Sequence, residues 1–249
     1  MSTVFFDFSG GMESAAMLVI ARERLLIPGV MVRWVDTGKQ FPEMAASIRQ
    51  IENKLGIGII RVPLRITFDQ FLFERGGMLR KGMNDCSRRM KRSNLTRHMQ
   101  EFPRPWEVNL GFNADETERA DDFIERNERP WCHWRFPLIE ANIDRLATFG
   151  ICKTAGFTIL LEMYRKMGRF DCYWCPNQTE RQAMRVVQHY PILAKEWVGA
   201  EQRKGFSFMR LPLKELTAEY DRQGDMFEKS IGCSCFGGTE DVWTNGDDG

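Results

Sequence analysis

The passage that most constrains the fold is Phe8-Ser9-Gly10-Gly11-Met12-Glu13-Ser14. An apolar run from Thr3 to Phe8 leads into it, and a helical pattern leaves it near Met12. A strand, a Ser-Gly-Gly turn and a helix in that order build a cradle for an anion. The two glycines lack a Cβ, so the backbone can bend tightly and approach a phosphate closely. Backbone N–H groups at the helix start then face the anion with a favourable dipole. Ser9 and Ser14 add hydroxyl donors. The spacing is neither G-x-x-x-x-G-K-[ST] nor G-x-G-x-x-G, the phosphate loops of the P-loop and dinucleotide folds.

The chain beyond the loop alternates strand and helix. Gly29 resets it, and residues 30–35 read as a buried strand ending at Asp36-Thr37-Gly38. Phe41-Pro42-Glu43 opens a helix through Met44, Ile48 and Ile51 to Leu55, with Gly56 as its cap. Residues 59–62 form a third strand, residues 106–111 a fourth, and a helix starts near Asp115. This alternation predicts an α/β fold, a parallel sheet covered by helices on both faces. Ligands in such sheets sit beyond the carboxyl ends of the strands. The Ser-Gly-Gly loop, Asp36-Thr37-Gly38 and the segment Gly111 to Arg119 all belong to that edge. From about Ala141 the pattern turns helical, with amphipathic segments over 156–167, 178–189 and 192–203. The expected division is a nucleotide-binding domain, 1–140, and a helical region, 141–249, carrying Cys172-x-x-Cys175 and Cys233-x-Cys235.

Net charge is only +1, so no global electrostatic case for nucleic acid exists. The N-terminus has no basic stretch before its apolar residues, and no apolar run approaches the ~18 residues of a membrane span. The chain therefore reads as cytoplasmic, without a membrane partner. Seven cysteines in a reducing compartment suit metal ligands, reactive thiols or core positions better than a disulfide frame.

Five stretches together resemble a known family. The first loop resembles the S-G-G-x-D-S loop of the PP-loop superfamily, the adenine-nucleotide α-hydrolases, with Glu13 where Asp is usual. Asp36-Thr37-Gly38-x-x-Phe41-Pro42-Glu43 resembles the D-T-G-x-x-F-P-E-T signature of the phosphoadenosine phosphosulfate (PAPS) reductase branch, with Met44 replacing Thr. Cys86, Lys91 and Leu95 resemble its C-x-x-x-x-K-x-x-P-L segment, with Asn94 at the proline. Gly111, Asp115, Glu116 and Arg119 resemble its G-x-R-x-D-E-S-x-x-R loop. Arg169, Cys172, Cys175 and Pro176 resemble the R-x-G-C-x-x-C-P segment of its iron–sulfur members. The resemblance runs from residue 4 to residue 176 and implies a Rossmann-type sheet of the PP-loop kind.

It also implies roles. Ser9, Gly10, Gly11 and Ser14 would hold the pyrophosphate or phosphosulfate end of ATP or a sulfonucleotide, with Thr37, Gly38, Gly111 and Lys91 completing the nucleotide site. Asp36 would accept from ribose hydroxyls or bind Mg²⁺; on local pattern alone it equally well caps the following helix. Glu13 would cap the helix start or bind Mg²⁺. Asp115 and Glu116 would position metal and Arg119 would stabilise phosphate charge, the plain alternative being an Asp115–Arg119 pair on a helix. Arg88, Arg89, Lys91 and Arg92 form the densest basic run, suited to substrate phosphates or a nucleic-acid backbone.

Cys172 lies 86 residues after Cys86. This resembles the iron–sulfur sulfonucleotide reductases, except that Ser87 stands where those have a second cysteine. Cys233 and Cys235 are candidates for the missing ligand. A [4Fe–4S] cluster is favoured because the C-x-x-C-P and the upstream cysteine go together. Zinc on Cys172, Cys175, Cys233 and Cys235 is the alternative, and it would leave Cys86 as a candidate reactive thiol. Cys132 and Cys152 read as buried, unliganded thiols.

The family leaves three functions open. The first is an ATP-dependent enzyme activating a substrate at the α-phosphate for sulfur transfer, with nucleic-acid thiolation as one form and a sulfur-donor or redox protein as partner. The second is a sulfonucleotide reductase; against it, the chain lacks the C-terminal E-C-G-x-H motif and has Gly232-Cys-Ser-Cys-Phe236 instead. The third is a non-catalytic nucleotide-binding subunit. The intact Ser-Gly-Gly loop and extra cysteines favour the first.

Overall fold

A computed structural model describes residues 2–223 of the 249. Cys233 and Cys235 therefore lie outside the described residues. Five strands form one parallel sheet: β1 (Thr3–Phe8), β2 (Val30–Val35), β3 (Ile59–Val62), β4 (Trp106–Leu110) and β5 (Cys132–Arg135). Their order across the sheet is β3-β2-β1-β4-β5. The first four coincide with the apolar runs of the sequence. The chain winds outward from β1 to β3 and returns to lay β4 on the other side of β1. The crevice between the carboxyl ends of β1 and β4 is thus the topological switch point, where doubly wound sheets bind ligands.

Helices cover the sheet. The helical pattern that starts near Met12, expected to run to about Arg24, forms two helices, α1 (Met12–Ile20) and α2 (Arg22–Leu25), broken at Ala21. Helix α3 (Met44–Leu55) ends at Gly56, whose φ of 70° takes the left-handed cap and whose N–H reaches the Glu52 carbonyl at 2.8 Å. A π-helical stretch, Ser87–Arg92, runs into α4 (Ser93–Met99). After β4 come α5 (Thr117–Asn127), the short α6 (Pro137–Glu140) and α7 (Arg145–Thr154). The rest is α8 (Thr158–Met167), α9 (Glu180–His189), α10 (Pro191–Lys204) and α11 (Leu213–Gln223). Thr179 starts α9 with a capping box closed by Gln182, which explains why the helix begins just beyond the apolar pattern.

The helical region is not set apart from the sheet. Helix α7 packs on α1 and α8 on α3. One apolar core includes Phe6 of β1, Trp34 of β2, Met163 of α8 and Trp197 of α10. A smaller cluster, Phe5, Met99, Trp106, Val108 and Cys132, lies on the sheet's other face under α4. Cys132 and Cys152 are buried, as their surroundings in the sequence suggest. No helix among the described residues is long and apolar enough to cross a membrane.

Candidate nucleotide site and adjoining cysteine pocket

The Ser-Gly-Gly turn joins β1 to α1 at the switch point. Gly10 has a φ of 91°, a conformation that favours glycine, and a Cβ there would also meet the Met44 side chain at 2.6 Å. The Ser14 hydroxyl accepts from the Ser9 N–H at 3.1 Å, donates to the Gly11 carbonyl at 2.9 Å and lies 2.9 Å from Ser9 Oγ. Ser9 Oγ accepts from the Gly11 N–H at 3.2 Å. The Met12 N–H donates to the Tyr164 hydroxyl of α8 at 3.0 Å. Both serines therefore belong to the turn itself, and a helix from the C-terminal region reaches into it.

Gly111 backs this loop from β4. A Cβ on it would lie 2.8 Å from Ser14 Cα and N, and 2.9 Å from Glu13 C. Beyond it, Asn113 is fully buried and, with Glu116, caps the next turn: the Glu116 carboxylate accepts the Asn113 N–H at 3.1 Å. Asn113 Oδ1 accepts from Thr148 Oγ1 at 2.9 Å, tying this segment to α7. Arg119 pairs with Glu116, one turn back, and not with Asp115. The alternative of an Asp115–Arg119 pair is not the one formed; Glu116, turned inward by the cap, takes Arg119 instead. Asp115 is exposed.

The Asp36 segment follows β2. Asp36 does not cap α3; its carboxylate accepts the Gly38 N–H at 2.7 Å and pairs with Arg61 of β3. An aspartate two residues before a glycine in the left-handed region closes a turn more readily than it reaches a helix seven residues on. Phe41 packs against Tyr173 and Tyr190, and the Tyr190 hydroxyl donates to Glu43 at 2.5 Å. The Phe-Pro-Glu triplet thus fastens this loop to the helical region. The loop also pairs directly with the C-x-x-C segment: Gln40 bridges Cys172, the Tyr173 N–H donates to the Lys39 carbonyl at 3.0 Å, and Thr37 Oγ1 is 3.2 Å from Cys172 Sγ.

That pairing brings Cys172 and Cys175 to Cys86, and all three line one pocket with Lys91, Arg169 and Asp171. Burial disfavours a charged Lys91, yet Cys172, Asp171, Cys86 and Cys175 outweigh it and hold the ammonium above its ordinary pKa. Arg169 donates to Asp171 at 2.6 Å; burial would raise the Asp171 carboxyl, but Arg169 and Lys91 hold it below the usual range. Burial, reinforced by Cys172, pushes the Cys86 thiol up to about 12. A thiol so placed is not a free nucleophile at neutral pH, whereas a bound metal deprotonates its ligands outright. Lys91 is therefore separated from the basic run it belongs to in sequence: it faces the thiols, while Arg88, Arg89 and Arg92 face a different groove.

Helix α8 links the pocket to the nucleotide loop: its Tyr164 takes the Met12 N–H, and Arg169 and Asp171 follow its end. Tyr164 feels the charges of both Glu13 and Asp171, and Glu13 those of Asp171 and Glu116. The Glu13 carboxylate meets its own backbone N–H in the first turn of α1, which favours its charged form. Burial raises its carboxyl pKa, Asp171 and Glu116 push the same way, and Arg145 opposes. A carboxyl raised by folding binds more protons in the native than in the unfolded chain, so it lowers stability as pH rises through the window above its ordinary pKa. Glu13→Gln is accordingly expected to stabilise the chain against urea at pH 7 and to change little near pH 3. Equal stability of the two proteins at pH 7 would contradict this.

The donor set suits a thiolate-held centre. Three thiols share a pocket with two cations, Lys91 and Arg169, and one carboxylate, Asp171. Among the described residues no three metal-ligating side chains are drawn together closely enough to hold an ion. Cys86, Cys172 and Cys175 are nonetheless the side chains that would hold it. Sequence reasoning missed Tyr164 and Asp171. Tyr164 carries no signal on an amphipathic helix; Asp171 sits inside the Arg169–Pro176 motif and could have been noticed there.

A parallel sheet with a Ser-Gly-Gly turn at its switch point, backed by a second glycine loop, is that of a PP-loop nucleotide-binding protein. Residues 3–138 match the phosphoadenosine phosphosulfate reductase domain. The chain belongs to that family. An uncharacterized protein of Methanocaldococcus jannaschii is 24% identical over 210 residues, covering 80% of this chain, which spans 48% of that relative's length. The solved structure of U34-tRNA thiolase NcsA from Methanococcus maripaludis with its [4Fe–4S] cluster aligns with 95% of this chain and 76% of its own, at 15% identity and a TM-score of 0.46.

Proposed function

We propose that the protein binds ATP at the Ser-Gly-Gly loop and activates a substrate at the α-phosphate for sulfur transfer. The observation that carries this reading is the fastening of the C-x-x-C segment onto the Asp36-Thr37-Gly38 loop at the same sheet edge as the Ser-Gly-Gly turn: Thr37 Oγ1 lies 3.2 Å from Cys172 Sγ, and the Tyr173 N–H donates to the Lys39 carbonyl at 3.0 Å. Ser9, Ser14 and the backbone N–H groups of the turn bind the pyrophosphate end. A substrate oxygen attacks the α-phosphorus, the bond to the bridging oxygen breaks, and pyrophosphate leaves. A sulfur nucleophile then displaces AMP from the activated atom. Arg119 would offset phosphate charge, and Asp115, Glu116 and Asp36 are the carboxylates we assign to Mg²⁺, the last two on giving up their pairs with Arg119 and Arg61. A cluster held by Cys86, Cys172 and Cys175 would supply a seat for the sulfur to be transferred. Lys91 and Arg169 keep that seat electrically balanced. The sulfur itself comes from a donor protein or a reduced sulfur compound.

The sulfonucleotide reductase remains the second reading, supported by the family match over residues 3–138. The two separate by product: pyrophosphate from ATP against sulfite from a sulfonucleotide. With anaerobically purified protein, ATP plus a sulfide source and acceptor is expected to release pyrophosphate, and PAPS is not expected to yield sulfite. The reverse result would replace the proposal. Cys172→Ser is expected to lose the metal and the visible absorption; full metal content would remove that cysteine from the ligand set.

A further inference from the structure

Six arginines line one groove: Arg65, Arg75, Arg88, Arg89, Arg92 and Arg97. No carboxylate lines it. Asp85 neutralises one end only, pairing with Arg88 at 3.1 Å and Arg89 at 3.4 Å. Elsewhere the guanidiniums are oriented by neutral oxygens: Arg89 donates to the Arg75 carbonyl at 3.0 Å, Arg97 to the Pro63 carbonyl at 3.0 Å and Arg92 to Asn127 at 3.3 Å. The chain's net charge is only +1, so these six cations are gathered against a remainder that is net negative. A solvated helix face would mix its signs; Arg65 and Arg75 come from segments outside the helix and still face the same groove.

The groove also leads somewhere. Arg65 and Ile66 line both it and the cavity at the carboxyl end of β2, which Asp36, Thr37, Gly38 and Arg61 enclose. Phe68 in turn lines both that cavity and the cysteine pocket. Three hollows thus share walls in sequence, from the arginines past the sheet edge to the thiols.

We infer that the arginine groove binds the phosphodiester backbone of a nucleic-acid strand, and that the path past Arg65 leads one nucleotide of it toward the cysteine pocket. Guanidinium forks match phosphate oxygens in pairs. A file of cations along a concave surface matches the repeated charges of a strand better than the plane of a membrane. Strand binding stands on the groove alone; that the strand is the sulfur acceptor rests on the sulfur-transfer reading.

The test is fluorescence anisotropy on the full chain, without ATP, using a labelled RNA hairpin and a DNA duplex of the same sequence across about 50 to 200 mM salt. Affinity is expected to fall linearly with salt on logarithmic axes. Arg65→Ala with Arg75→Ala, both exposed in the native chain, should weaken binding tenfold or more and reduce the slope by about 1.4 to 1.8, the share of two phosphates. Circular dichroism should show the variant folded. Preference for one probe identifies the strand as RNA or DNA. Absence of binding, an unchanged slope in the double variant, or displacement of the strand by polyglutamate as effective as by unlabelled nucleic acid would each overturn the inference. Intact binding in a protein that transfers no sulfur would count against the sulfur-transfer reading alone.

Discussion

Gly111→Ala is expected to abolish adenine-nucleotide binding and to destabilise the fold by about 1–3 kcal/mol, the usual cost of overpacking a filled site. The added methyl would sit 2.8 Å from Ser14 Cα and N and 2.9 Å from Glu13 C. All three are backbone atoms of the first turn of α1, so no rotamer change relieves the overlap. Either β4 moves away from β1 or the nucleotide loop shifts. Gly111 is not in the left-handed region, so alanine is conformationally permitted and the effect isolates the close approach. Gly199→Ala in α10 is the matched control: nothing lies within 4 Å of its Cβ, and alanine is the better helix former. Calorimetric titration with ATP and urea unfolding read the two effects separately. Wild-type affinity in Gly111→Ala would remove the loop from the nucleotide site. An unchanged urea midpoint would show that the β1–β4 crevice tolerates the methyl.

The same residue shows what sequence could and could not convey. The strands β1 to β4 are legible because large apolar and β-branched residues dominate each, with single polar residues between them, and a turn former follows: Ser9-Gly10, Asp36, Pro63 and Gly111. The fifth, Cys132-His133-Trp134-Arg135, is four residues long, sits on the sheet's edge and alternates in the basic side chains His133 and Arg135, so no apolar run announces it. The motif glycines are legible as positions that need closeness, but not as to what they approach; Gly111 meets Ser14 across 97 residues. Charged motif residues are harder still. Asp36 and Glu116 have donors within their own turns, and a spacing pattern does not separate that use from a ligand's. Cys86 and Cys172 share a pocket because residues 37–40 zip onto residues 172–173, a pairing no periodicity encodes.

The largest effect on stability is expected from Asp7→Ala. Asp7 of β1 and Arg33 of β2 are register partners on the face under α4. Arg33 is fully buried. Its Nε donates to Asp7 Oδ1 at 2.9 Å, its Nη2 donates to the same oxygen, and its Nη1 donates to the Leu95 carbonyl at 3.0 Å. The guanidinium lies 4.0 Å from the centre of the Phe5 ring. Removing the carboxylate leaves a buried cation held by one carbonyl and one ring. Breaking such a pair from one side costs about 3–5 kcal/mol, because the surviving charge keeps its desolvation penalty without its partner. In a chain of this size that corresponds to a fall in Tm of roughly 10 °C. Removing both charges is a different matter, since well-packed apolar replacements of buried pairs are often neutral. Asp7→Ala with Arg33→Met is therefore expected to be more stable than Asp7→Ala alone. Urea unfolding of the two single variants and the double decides it. A cost under about 1 kcal/mol for Asp7→Ala, the range of an exposed pair, would mean that water reaches Arg33 and that the sheet face under α4 is open.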